Sequence, residues 1–415
     1  MSIRRPLRIL FFAEGVTLAH VARPMSIAQG LDPQIFDCTI ACHPRYSRFL
    51  SDVPWKNAEL NSIETAQFLD ALSRGRPVYD LPTLRDYVRE DLALIDRIQP
   101  DVVVGDFRLS LSVSARLARV PYLTVTNAYW SPHYAHRSFP LPVLPMTRLL
   151  PIPVAKFLFD AAQPIAFPMH CRPLNLLRQE NGLPSLGTDL RRVYTDADMT
   201  LYADDPDLFP LIDAPDRHRF LGPVLWEPAM TLPAWWNELP DDRPLVYVTL
   251  GTSGPSGLLT QVLDSLSNLQ VTVIASSAGQ DMGQQRGNAF VAPYLPGTTA
   301  AARSVCVICN GGSLTSYQAL IAGVPVLGIA SNMDQFMNME GLVRAGVGTC
   351  LRSDRMSKQQ LGWSARCLVE QPGTKDRARE LAGKMRESNN GGVFEKAVLE
   401  LSQVFSIDKT SRTRP

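Results

Sequence analysis

Apolar runs of strand length alternate with amphipathic stretches along most of the chain. Residues 7–13, 37–41, 102–105 and 122–126 are short and almost uniformly apolar, the pattern of strands buried on both faces. Between them, residues 25–31, 84–98 and 111–119 repeat apolar positions three and four apart and predict helices. Order resumes weakly at residues 199–203. A second series then begins, with strands at 245–250, 271–276, 290–292, 305–309 and 326–329 and helices at 257–266, 314–322 and 336–345. Helical patterns at 359–369, 376–387 and 393–404 close the chain, and the polar tail from Asp408 is expected to be disordered.

Two stretches break the rhythm. Residues 139–168 are apolar and proline-rich, which predicts a loop and short-helix insertion lining a pocket. Residues 223–244 carry prolines at 223, 228, 233, 240 and 244 and read as a linker. Strand–helix alternation on both sides of that linker predicts an α/β protein with two stacked, doubly wound, Rossmann-like domains facing across a cleft. The expected boundaries are an N-terminal domain over 1–225, a linker over 226–243 and a C-terminal domain over 244–390. A helix over 391–407, able to pack back on the N-terminal domain, and a tail over 408–415 complete the chain.

Length supports two domains, because 415 residues exceed what one core usually organises. Charge narrows the partners. Lys plus Arg number 41 against 40 Asp plus Glu, and this balance argues against nucleic acid, whose phosphates require a basic surface. No uncharged apolar run reaches 18 residues, so no membrane-spanning helix is expected, and residues 9–13 are too short for the core of an export signal. The seven cysteines therefore read as reduced thiols of a cytoplasmic protein. Cys306 and Cys309 form a CxxC, but they lie in a strand, where a three-residue offset sends the thiols to opposite faces. They are read as structural, and no metal site is expected.

The strongest local signal is the turn Asn310-Gly-Gly-Ser-Leu-Thr315, which joins the strand at 305–309 to a helix. Gly311 and Gly312 let the backbone approach a ligand. The helix N-terminus offers unpaired N–H groups and a partial positive charge, and Ser313 and Thr315 add hydroxyls or cap the helix. A capped βα turn with no ligand fits the same residues. A second turn, Thr249-Leu-Gly-Thr-Ser-Gly254, also follows a strand, and two such loops in one domain point to a diphosphate site. Neither turn is a Walker A or a dinucleotide fingerprint.

From Asn310 to Gly348 the chain resembles the donor signature of family 1 glycosyltransferases, the group of the macrolide, flavonoid and sterol enzymes. The resemblance joins the Gly-Gly-Ser turn, the Ala322-Gly-Val-Pro325 turn and the group Asp334-Gln-Phe-Met-Asn338. It implies the GT-B fold, with the donor held by the C-terminal domain. It further implies that Tyr294 stacks on the base and that Asn310, Gly311, Gly312, Ser313 and Thr315 line the diphosphate. Gln318 would meet the ribose, Asp334 and Gln335 the sugar hydroxyls, and Thr252 and Ser253 would close the phosphate site. Tyr294, Asn310 and Gln318 stand where the family usually has Trp, His and Glu.

An alcohol acceptor is a weak nucleophile near neutral pH, and a positioned base adds roughly 10²–10⁴ in rate. His20 follows the first strand, and Asp106 ends the run 101–106; both sit at carboxyl ends of strands, where a carboxylate can orient an imidazole. The resemblance implies the same pair, although Ala19 replaces the usual Gly and one extra residue separates His20 from Pro24. Helix capping is the alternative for each. Arg23 is expected either to touch phosphate or to face solvent. Tyr129, Trp130 and His133 read as an acceptor-pocket wall.

The implied activity is inverting transfer of a hexose from a UDP- or dTDP-linked sugar, the co-substrate, to a small apolar acceptor, lipid-like ones included. His20 acts as base, and neither cofactor nor metal takes part. Peripheral membrane contact is compatible with residues 139–168, and no oligomeric state follows from the sequence. Two other functions stay open: an idle sugar-nucleotide-binding partner protein and a sugar-nucleotide epimerase on the same fold.

Overall fold

The computed structural model describes residues 5–50, 53–227, 230–251, 257–280, 282–386 and 390–412. The chain forms two compact bodies. The first comprises Met1–Arg137, Leu158–Trp226 and Asn389–Pro415, and the second Ser138–Phe157 and Glu227–Ser388.

The first body is built on strands β1 (Leu7–Ala13), β2 (Phe36–Cys42), β3 (Lys56–Glu59), β4 (Val102–Asp106), β5 (Tyr122–Thr126), β6 (Met199–Tyr202) and β7 (His218–Phe220). Their order in the sheet is β3-β2-β1-β4-β5-β6-β7, and every pairing is parallel. A parallel sheet is covered on both faces, so its central strands need apolar side chains up and down; hence Leu-Arg-Ile-Leu-Phe-Phe-Ala and Val-Val-Val-Gly-Asp. One face packs on helix α1 (Leu18–Gln29), and the same core takes in Phe394, Ala397, Val398 and Leu401 from the last helix. Phe11 stacks on Phe394 at 5.8 Å between centroids.

The second body carries β8 (Leu245–Thr249), β9 (Thr272–Ser276), β10 (Gln285–Arg286), β11 (Ala289–Ala292), β12 (Cys306–Cys309), β13 (Val326–Ala330) and β14 (Gly348–Arg352). The order is β10-β11-β9-β8-β12-β13-β14, parallel except for the β10–β11 hairpin. These sheets and the strand–helix alternation make two Rossmann-like domains.

The main difference from the sequence reading lies at 139–168. Helix α2 (Ile152–Glu180) runs through this stretch with Pro164, Pro168 and Pro173 inside it. Prolines ordinarily interrupt a helix. Here Ala155, Phe159, Cys171, Leu174 and Leu177 fall on one buried face, and that burial outweighs the lost backbone bonds. The other face is exposed, with Phe157 at 72% and Ile165 at 71%.

Residues 138–157 also belong to the second body. Val143 N–H donates to Ser331 O at 2.7 Å, Arg352 Nη1 donates to Leu141 O at 2.6 Å, and Arg355 donates to Thr147 O and Leu150 O. The linker expected at 226–243 is likewise part of that body, where Trp235 packs on Phe290 and Arg303 lies over Trp236. The last helix, α5 (Asn390–Arg412), continues into the stretch expected as a disordered tail.

Candidate active site

Within the first body the strand order reverses between β1 and β4, the switch point at which ligands bind in open α/β sheets. Ala13 and Asp106 are register partners there, so the two strands end together. Beyond β1, α1 begins at Leu18 and carries His20 as its third residue; the sequence reading had left His20 on the preceding loop. His20 Nδ1 lies 2.7 Å from Asp106 Oδ1, with the imidazole 21% and the carboxylate 2% exposed. The other carboxylate oxygen lies 3.2 Å from Arg23 Nε. Arg23 is buried, so it does not face solvent.

The two residues after Asp106 complete the setting. Phe107 takes a left-handed conformation, φ +60°, uncommon for a bulky residue, and its ring stacks on His20 at 4.8 Å and 15°. Arg108 is fully buried. It donates to Glu14 Oε2 at 2.9 Å, Asp91 Oδ1 at 3.0 Å and Asn61 O at 2.7 Å, and its guanidinium sits 3.6 Å over the Tyr87 ring. Burial pushes the Glu14 and Asp91 carboxyls up from the usual range, and Arg108 opposes this. The loop between β1 and α1 is thereby anchored through Glu14, and its Gly15 N–H donates to Ser62 Oγ at 2.8 Å.

The acceptor-wall residues differ from one another. Tyr129 is fully buried and packs on Phe209 at 5.2 Å, so its ring supports a wall and does not form one; this corrects the reading of it as a contact residue. Trp130 is half-buried, edge-on to Tyr194 at 4.8 Å. His133 meets His218 at 5.1 Å, and burial together with the His133 and Arg217 charges pushes the His218 imidazole down to about 4. Two Asp-x-Asp triplets occur in this body. Asp196 accepts from Arg116 and Arg178 and Asp198 from Tyr122 N–H, while Asp205 accepts from Asp207 N–H.

In the second body the order reverses between β8 and β12. The turn after β8 passes through Gly251 at φ +61°; Thr252 and Ser253 lie outside the described residues. The turn after β12 is Asn310-Gly-Gly. Gly311 has φ +82°, and a Cβ there would come 2.8 Å from Met339 Cγ, so a side chain at this position is strained and must displace Met339. Its N–H donates to Cys309 Sγ at 3.3 Å, and its carbonyl accepts from Asn338 Nδ2 at 2.9 Å. Gly312 N–H donates to Asn310 Oδ1 at 3.0 Å, and Gly312 is the N-cap of α3 (Ser313–Ile321). A glycine cap supplies no side-chain acceptor, so the first-turn amides of Ser313, Leu314 and Thr315 remain aimed outward on a half-exposed turn.

The other residues that the resemblance implies for the donor lie on neighbouring elements of this body. Tyr294 follows β11 and is half-buried, with its hydroxyl donating to Ala278 O at 3.4 Å. Gln318 is buried on α3 against Gly297, where a Cβ would lie 2.3 Å from its Oε1. Asp334 is in the first turn of α4 (Met333–Arg344). Gln335 is 3% exposed, and its Oε1 accepts from Ser331 N–H at 2.8 Å and Asn332 N–H at 3.3 Å in a capping box. That oxygen therefore shapes the turn beside the site, a use the resemblance did not imply. The sequence reading named Arg23 but not its place beside Asp106; its signal was the spacing of three residues from His20 on one helix. Phe107, which that reading missed, had none.

Comparison with known proteins bears on the family and the fold. The C-terminal domain described as erythromycin biosynthesis protein CIII-like matches residues 260–391. The PGL/p-HBAD biosynthesis rhamnosyltransferase of Mycobacterium bovis is 51% identical over 379 residues, covering 91% of this chain and 84% of that protein. The inactive PGL/p-HBAD biosynthesis glycosyltransferase of the same organism is 43% identical over 316 residues, covering 76% and 85%. Among solved structures, the spinosyn rhamnosyltransferase SpnG complexed with thymidine diphosphate superposes with TM-score 0.68 over 94% of this chain and 99% of that one. At 18% identity the likeness is one of fold.

Proposed function

This chain belongs to the family 1 glycosyltransferases of GT-B fold, and from that premise we propose that it moves a hexose from a UDP- or dTDP-linked donor to a hydroxyl of a small apolar acceptor, with inversion. The observation that carries this reading is the His20–Asp106 pair at 2.7 Å, a partly exposed imidazole on a buried carboxylate. With Asp106 accepting at Nδ1, the Nε2 lone pair of His20 takes the acceptor proton. The acceptor oxygen forms its bond to the anomeric carbon as the bond to the diphosphate breaks, and the electron pair leaves on the phosphate oxygen. The first-turn amides of α3 and the Asn310-Gly-Gly turn stabilise that charge, so the reaction calls on no metal or cofactor.

The name of the Mycobacterium bovis relative and the thymidine diphosphate in the SpnG complex favour a dTDP-deoxyhexose such as dTDP-rhamnose among the donors. Exposed Phe157 and Ile165 on α2, with the half-buried Trp130 and His133, support an apolar acceptor and peripheral membrane contact. The test is a thermal-shift screen over dTDP- and UDP-sugars, followed by turnover of the stabilising donor with and without His20→Ala. A ligand held only by the native state raises Tm. No stabilising nucleotide-sugar, or a His20→Ala variant that keeps full turnover, sinks the proposal.

The idle-binder reading is favoured by one observation, the inactive relative at 43% identity. The closed His20–Asp106 contact supports activity in this chain. Donor binding without turnover over a broad acceptor panel would decide for the binder.

A further inference from the structure

Asp106 is 1% exposed, and its partner in the proposed mechanism is a neutral imidazole in the resting state. A buried carboxylate needs a charge partner, and a neutral ring does not supply one. Among the described residues, Arg23 is the only lysine or arginine paired with it, with Nε 3.2 Å from Oδ2. His20 and Arg23 stand three apart on α1, so one helix face grips both oxygens of the carboxylate. Arg23 Nη2 also donates to Asn127 Oδ1 at 3.4 Å, and Asn127 Nδ2 donates to Asp204 Oδ1 at 3.0 Å. Fully buried Asp204 accepts from Ala128 N–H, at the head of the turn that carries Trp130. Arg23 Nη1 is buried without a hydrogen-bond partner. An arginine present only to fill space would cost less as a methionine or leucine, because an unsatisfied buried N–H is unfavourable.

We propose that Arg23 is a positioning residue of the His20–Asp106 pair, holding the Asp106 carboxylate against His20 so that the ring keeps its proton on Nδ1 and its lone pair on Nε2. The inference rests on the proposed role of His20 as base. While Asp106 is charged it can only accept, so the imidazole proton stays on Nδ1. Without the guanidinium the carboxylate is no longer held against Nδ1. The ring is then free to carry its proton on Nε2, and the nitrogen that must accept the acceptor proton is occupied. Substrate binding is untouched by this change, so the defect falls on kcat.

The test compares wild type, Arg23→Ala, Arg23→Gln, Arg23→Lys and His20→Ala, using dTDP-rhamnose and 2-naphthol as probes. It also records the tautomer of His20 by ¹⁵N NMR of histidine-labelled protein, with His20→Ala assigning the resonance. We expect Arg23→Gln to lower kcat by about 10² or more with KM within about threefold, and Arg23→Lys to recover part of the loss. Methylguanidine added to Arg23→Ala should restore turnover, an effect that lost packing alone would not reverse. The His20 signals should pass from the Nδ1–H to the Nε2–H pattern in Arg23→Gln. Wild-type kcat and an unchanged tautomer in Arg23→Gln overturn the proposal. Full activity in His20→Ala overturns the base reading instead, and the NMR comparison still decides whether Arg23 sets the tautomer. Because the tautomer is read without substrate, that arm stands even where 2-naphthol is not turned over.

Discussion

The two bodies present opposite kinds of group at the same place in the same kind of sheet. In the first, the ends of β1 and β4 present ionisable side chains: His20, Asp106 and Arg23, with Phe107 stacked on the imidazole. In the second, the ends of β8 and β12 present backbone: Gly251 and Gly311 in left-handed conformations, and a helix whose N-cap has no side chain. A proton acceptor must be a side chain, because no backbone group titrates near neutral pH. A diphosphate is well held by amides, because a helix end offers several fixed N–H groups without an extra charge to desolvate. The difference predicts how each site breaks: the first by removing atoms, the second by adding one.

The largest effect is expected on the first side of that comparison. His20→Ala should lower kcat about 10²–10⁴-fold and leave the dissociation constant of the stabilising nucleotide-sugar unchanged, measured by steady-state kinetics beside calorimetric titration. A comparable loss of donor affinity would show that the two sites do not divide the work in this way. Next is Gly311→Ala, a single methyl group forced to φ +82° and against Met339. Donor affinity should fall about 10- to 100-fold with kcat at saturation nearly kept. Gly312→Ala sharpens the contrast, since Gly312 has φ −73° and its new methyl would meet only Asn310 Oδ1 at 3.2 Å. It should cost less than about threefold in affinity, because no conformational strain accompanies it.

A third effect falls on the support of the glycine turn. Asn338 Nδ2 holds Gly311 O at 2.9 Å and Ser316 Oγ at 3.0 Å. Asn338→Leu keeps the volume and strands the carbonyl, so stability should drop by ~1–3 kcal/mol in a denaturant titration, with a loss of donor affinity. Equal stability would remove Asn338 from the account of the turn.

The smallest effect returns to the first body. The folded His218 imidazole sits at about 4, below its ordinary value, chiefly through burial. The unfolded chain therefore binds the extra proton first as pH falls. Stability from this group is full above about 6.5 and is lost as pH drops towards 4, by ~1–2 kcal/mol once its partial exposure is allowed for. The slope of Tm against pH in that window should flatten in His218→Gln; an unchanged slope would reassign it to another group.

Much of the framework was legible along the chain. Runs such as 102–105 and 305–309 announced buried parallel strands, and Asn310-Gly-Gly-Ser announced a turn that needs glycine. The resemblance added the pairing of His20 with Asp106, residues 86 positions apart. Residues 139–168 were less legible, because proline content pointed to loops while the spacing of Ala155, Phe159, Cys171 and Leu174 carried the helix. Gln335 shows a third case: a donor motif named its position, and its buried oxygen turned out to hold a capping box.

The sequence by itself determined the central buried strands, which turns require glycine, and that His20 and Asp106 each end up at the carboxyl end of a strand. Periodicity and glycine conformation are local properties, set within a few residues. Only the tertiary structure decided that Arg23 forms an ion pair with the Asp106 carboxylate, that Phe107 stacks on His20, that Tyr129 is enclosed by Phe209, and that residues 138–157 join the second body. Those outcomes depend on which side chains meet once the sheet is assembled, and no spacing along one strand or helix encodes a partner that arrives from another.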